Sequence, residues 1–201
     1  TKDAQFELME WRYEKCNGFR SYRPIPKQNN AKIKEAVELF NQAIKPLVLV
    51  GQGVTLSGAE LELETFLNQT GMPAACTLLG LSALNQDHPQ YTGMLGMHGN
   101  YAPNKLTNEA DLIFAVGMRF DDRVTGDLSR YATKAKVVHL DIDPSEINKN
   151  VPADVALIGD AKPTLKEINK LVNKNNHNQW IERFNKLESE EHKAVIENDL
   201  F

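Results

Sequence analysis

Six short apolar runs, each closing on glycine or acid or on a Thr-Leu-Leu or Met-Leu pair, alternate with amphipathic stretches along this chain. The runs are LVLVGQG (47–53), MPAACTLL (72–79), YTGML (91–95), DLIFAVG (111–117), KVVHLDID (136–143) and DVALIGD (154–160). Continuously apolar strands of this length are buried on both faces, which is the habit of parallel sheets. Between them lie NNAKIKEAVELFNQAIK (29–45), SGAELELETFLNQTG (57–71), NYAPNKLTNEA (100–110) and AKPTLKEINKLV (161–172), which carry helical spacing. Alternation of strand and helix predicts an α/β fold, a parallel sheet of about six strands with helices on both faces. Right-handed crossovers then bring every strand's C-terminal end to one edge.

Local signals set the expected boundaries. Ile33, Val37, Phe40 and Ile44 fall on one helical face, and Pro46 stops that helix. Ser57 and Glu60 match a capping box, and Gly71 suits a helix end. Asp143, Pro144 and Glu146 read as another helix start, as does Asp160 before a helix whose Leu165, Ile168 and Leu171 share a face. NQWIERFNKLESEEHKAVI (178–196) reads as a charged amphipathic helix leaving the domain. RSYRPIP (20–26) reads as extended linker, since Pro24 and Pro26 disfavour helix. The expected organisation is a connecting arm over 1–28, a central domain over 29–174 and an outgoing helix over 175–201.

Composition narrows the function classes. The formal net charge is −4 and the pI about 5.8, so no basic face recruits nucleic acid or an anionic membrane. Cys16 and Cys76 have no metal-like spacing, and Cys76 in its apolar run reads as a small core residue. With no signal peptide and no membrane-length apolar run in the sequence, a reduced cytoplasmic setting is expected.

In an open parallel sheet, ligands bind beyond the C-terminal strand ends. Those ends carry Gly51-Gln52-Gly53, Thr77-Leu78-Leu79-Gly80, Met94-Leu95-Gly96-Met97-His98-Gly99, Gly117 with Arg119, Asp121, Asp122 and Arg123, Asp141 with Asp143, and Gly159-Asp160. Glycine permits close backbone approach, arginine pairs with phosphate, and aspartate accepts from ribose hydroxyls or an adenine amine. Together they suit a large nucleotide lying across the sheet edge. A conventional NAD site fits poorly: Leu56 stands where a third glycine belongs, and no acid ends the second strand. Met94, Met97 and Met118 suit either a flat aromatic ligand or core gaps, and His98 either proton transfer or loop packing. Arg119, Asp121, Asp122 and Arg123 suit either ligand contact or a surface ion network. GDA (159–161) with Asn185 downstream superficially matches a magnesium–diphosphate motif, but its third glycine is missing, and no metal site is expected.

GMLGMHGNYAPN, AVGMRFDDRVTG, VVHLDIDPSEINKN and VALIGDAKPTL closely resemble the central domain of the acetohydroxyacid synthase (acetolactate synthase) catalytic subunit, a thiamine diphosphate enzyme family. The resemblance runs from about Lys45 to Val172. It implies a Rossmann-like domain that holds FAD as a structural cofactor. Thiamine diphosphate, Mg2+ and the activating glutamate are implied at the other domains, with no catalytic residue in these positions. FAD contacts are implied for Gly51 to Gly53, Thr77 to Gly80, Met94 to Gly99, Gly117, Arg119, Asp122, Arg123, Asp141, Asp143, Gly159 and Asp160. Met94 and Arg123 are implied to border the active-site channel as well. The implied reaction decarboxylates pyruvate and joins the two-carbon unit to pyruvate or 2-oxobutanoate, in a homo-oligomer with a regulatory small subunit. A related pyruvate oxidase or 2-oxo acid decarboxylase, or a stand-alone nucleotide-binding module, is the alternative. The chain reads as a domain fragment, inactive alone and weak or lacking in flavin binding.

Overall fold

The computed structural model describes residues 2–12 and 24–195. Residues 13–23 of the 1–28 arm, Cys16 among them, and Ile196 lie outside the described residues. A short helix α1 (Lys2–Phe6) precedes the domain and buries nothing. The sheet contains β1 (Pro46–Val50), β2 (Ala74–Cys76), β3 (Tyr91–Met94), β4 (Leu112–Val116), β5 (Lys136–Asp141) and β6 (Val155–Ile158). Its order is β3-β2-β1-β4-β5-β6, and every neighbouring pair is parallel. The α/β expectation thus holds, and the order reverses between β1 and β4.

Strand alternation divides the core in two. Val48, Val50, Phe114, Val116, Val138 and Leu140 face one layer. That layer comprises α2 (Asn30–Gln42), α3 (Gln52–Ser57), α4 (Glu60–Thr70) and α7 (Ala161–Leu171), which bring Ile33, Phe40, Val54, Phe66, Leu165 and Ile168 to the sheet. At its centre Phe40, Phe66 and Phe114 pack with centroids 4.6 to 5.4 Å apart. Cys76 is fully buried here, and burial pushes its thiol up to about 12. Leu47, Leu49, Ile113, Ala115 and Val137 face the other layer, α5 (Tyr101–Thr107) and α8 (Asn178–Val195).

Helix α8 does more than lead away. Trp180, Phe184 and Leu187 are buried in the second core, and the Trp180 indole donates to Pro46 O at 2.8 Å. Near its other end, Glu191 accepts from the Tyr101 amide at 3.0 Å and so caps α5.

Four local expectations change. Helix α2 ends at Gln42, so Ile44 lies past it and is 75% exposed; Asp111 accepts its amide. Ser57 caps nothing at α4, because the chain is already helical from Gln52 and Ala59 takes the cap position. Asp143 accepts from Ser145 N, but 144–148 form turns and no helix starts there. Leu171, in the last turn of α7, is 45% exposed. Gly71 and Asp160 act as expected, at φ 66° and as acceptor from Lys162 N.

Phe114→Ala is expected to lower unfolding free energy by about 3–5 kcal/mol, the range for emptying a buried aromatic site. Urea unfolding checks this; a loss below about 1 kcal/mol would contradict so central a place.

Candidate nucleotide site

Glycines join β1 to β4 where the order reverses. Gly51 N–H donates to Val116 O and Gly53 N–H to Gly117 O, both at 2.9 Å. A Cβ on Gly51 would lie 2.3 Å from Gly117 O, and one on Gly53 2.6 Å from Gly117 Cα. Gly117 has φ +57°, a conformation that excludes most side chains. Gly80 likewise meets Val50 O, where its Cβ would lie 2.2 Å away. That approach ends β2 at Cys76 and turns 78–83 into a 3-10 segment over the end of β1, instead of the longer strand expected. Gly51 and Gly80 therefore serve backbone packing.

Above this junction lies a groove of about 570 Å3. From the β1 and β2 ends, Gln52, Gly53, Thr77, Leu78 and Leu79 line it. From β4 come Gly117, Arg119 and Arg123; from β5 and β6 come Asp141, Asp143, Gly159 and Asp160. Twelve of the implied flavin contacts thus share one groove, with Asp121 also on its lining. Leu95, Gly96, Met97 and Asp122 instead line an adjoining cavity of about 320 Å3, which shares Arg123 and Val124 with the groove. Met94, exposed His98 and Gly99 line neither. Met118 is buried in the second core and reaches the groove.

The charged segment is not a closed ion network. Its one ion pair among the described residues joins Arg119 Nε to Asp121 Oδ2 at 3.5 Å. Asp121 Oδ1 is buried without a partner, and the Arg123 guanidinium has Met97 Sδ beside it at 3.7 Å. The segment forms a four-residue helix, α6 (Asp122–Thr125), leaving both guanidiniums available to a ligand.

The carboxylates are fixed differently. Burial pushes the Asp141 carboxyl up, while the Asp143 amide on Oδ1 at 2.8 Å opposes that shift. The Ser145 amide holds Asp143 below the usual range. Asp160 accepts from Ser57 Oγ at 2.5 Å and from Lys162 N at 3.0 Å, which locks α3 to α7. Asn185, exposed on α8, stands across the sheet from Asp160.

Sequence reasoning missed Leu56, Ser57, Val124, Leu140, Ile142, Glu146 and Ala161 as lining residues. Leu56 and Ser57 needed one fact, that a helix begins directly after β1. Leu56, noted only as a misplaced third glycine, stands at the groove.

Residues 33–168 match the family model described as thiamine pyrophosphate enzyme, central domain. The chain belongs to this family. Its members include acetolactate synthase large subunits to which the chain is similar. A probable large subunit from Methanococcus aeolicus is 42% identical over 83% of this chain and 30% of its own length. The isozyme 3 large subunit of Escherichia coli K12 is 41% identical over 81% of the chain and 28% of its length. The isozyme 2 large subunit of the same strain is 48% identical over 72% of the chain and 26% of its length. The chain thus spans less than a third of the length of these relatives. Among the described residues no helix is long and apolar enough to cross a membrane.

Two buried histidines give this central domain a pH response. Burial lowers the proton affinity of His139 and His177 below the ordinary value of 6.5. The unfolded chain therefore binds protons there that the folded chain does not, so this contribution is full above about pH 6.5 and falls below it. Thermal unfolding from pH 8 to 5 is expected to show a falling midpoint, with a shallower fall in His177→Gln. A midpoint that rises on acidification would contradict it.

Proposed function

We propose that this chain is the flavin-nucleotide-holding central domain of an acetolactate synthase large subunit. Several residues present fit FAD. The groove lies at the switch point of a 3-2-1-4-5-6 sheet, where dinucleotides bind in folds of this order. Its lining includes Arg119 and Arg123 together with Asp121, whose Oδ1 is buried and has no partner within the protein. Arg119 and Arg123 would hold the diphosphate by charge-assisted bonds, and Asp141 and Asp143 would accept from ribose or adenine groups. Leu56, Leu78 and Leu79, all exposed at the groove, would cover apolar ring surface. The observation that carries the reading is this joining of arginines and carboxylates from β4 and β5 in one groove.

When bound, the flavin nucleotide supplies shape and contact area to the active-site channel, and this chain's residues orient it and exclude water. Thiamine diphosphate and Mg2+ are not assigned to this groove. Those cofactors, the activating glutamate and the substrates pyruvate and 2-oxobutanoate belong, on this reading, to the remainder of a large subunit. That subunit works as a cytoplasmic homo-oligomer with a regulatory small subunit. Alone, the 201 residues are expected to form no acetolactate from pyruvate and to bind flavin weakly or not at all.

In the intact protein, Arg119→Ala and Asp141→Asn are each expected to weaken FAD binding about tenfold or more, as loss of a charge-assisted bond implies. Flavin fluorescence titration measures this, with acetolactate formation falling in parallel at limiting FAD. Wild-type affinity in both variants would refute the groove as the flavin site.

A further inference from the structure

His139 occupies the middle of β5, paired with Ala115 on one side and Ala156 on the other, and is fully buried. Its ring meets Phe120 edge-on at 5.0 Å within the second core. An apolar side chain would suit that place as well, and the imidazole brings a liability: Nδ1 has no partner. What it adds is a single contact, Nε2 to Met118 O at 2.8 Å. A carbonyl only accepts, so Nε2 carries the proton and Nδ1 the lone pair. Asp141 Oδ2, at 4.0 Å, is too distant to compete.

Met118 O is one of four consecutive carbonyls held from within the protein. Gly117 O accepts from Gly53 N, Arg119 O from Asp121 N, and Phe120 O from Asn150 Nδ2 at 2.6 Å. The amides of Met118, Arg119 and Phe120 find no acceptor among the described residues. No peptide here is cis, so the Arg119 N–H points opposite to the Met118 carbonyl, away from the His139 core. A backbone N–H without an internal acceptor is free to donate to an anion.

We propose that His139 is a positioning residue for the groove, holding the Met118–Arg119 peptide from below so that the Arg119 amide and guanidinium both serve the diphosphate of a bound nucleotide. This rests on the reading of the groove as a flavin-nucleotide site. His139 touches no ligand; it acts through Met118 O. Glutamine places an amide nitrogen near the Nε2 position and retains the bond, whereas leucine of similar bulk removes it.

The test uses the intact protein with His139→Leu and His139→Gln, titrated with FAD and with riboflavin, which lacks the diphosphate. His139→Leu is expected to weaken FAD binding about tenfold while riboflavin affinity stays level, and His139→Gln to remain within about threefold of wild type. Wild-type FAD affinity in His139→Leu, or equal losses for both flavins, would overturn the role. Wild-type protein that fails to bind FAD would overturn the nucleotide reading itself and this inference with it. Should His139→Leu not fold, the tautomer in wild-type protein decides, by nitrogen-15 NMR of the imidazole. A proton on Nε2 whose shift moves on adding FAD supports the role, and a proton on Nδ1 eliminates it.

Discussion

The close approach of β1 and β4 at their C-terminal ends is the constraint from which the groove follows. Three glycines, Gly51, Gly53 and Gly117, let two backbones touch where side chains would collide. The sheet order reverses at that same place, so the crossovers on either side diverge and leave a crevice between them. Any side chain at Gly117 would meet both a forbidden φ and the α3 backbone. Binding geometry and sheet geometry are therefore one property of the molecule.

The two core layers contribute unequally to the site. The phenylalanine-centred layer is closed by four helices and is tied to the groove through the Ser57–Asp160 contact. The second layer reaches the groove through Met118 and Phe120, which connect β4 to the buried ring of His139. The loop after β4 is thus anchored in the protein interior, although its arginines remain exposed. An anchored backbone beneath exposed cationic side chains is an arrangement that favours preorganised anion binding.

The alternation of apolar runs and amphipathic segments made the sheet and its parallel sense legible, because burial on both faces leaves a continuous signature in β1 and β4. Motif residues such as Arg119 and Asp141 were legible for the same reason, since a charge ending a buried strand must face an edge. Short-range rules failed where tertiary contact overrode them. Ser57 looked like a cap because its partner Asp160 lies a hundred positions away. Gly80 looked like part of a strand end, yet its tight contact with Val50 O bends the chain away. The division of the β3 end from the main groove depends on where Arg123 projects, which no spacing reveals. His139 was legible only as one polar letter in a strand.

Helix α8 has 18 residues and is about 27 Å long, and the indole seated on Pro46 and the carboxylate seated on Tyr101 lie about 17 Å apart along it. Fastened near both ends, it behaves as a strut across the second face. Any twist applied at one end would arrive at the Gly96–Gly99 turn beside Arg123, making that turn sensitive to forces originating well away from the groove.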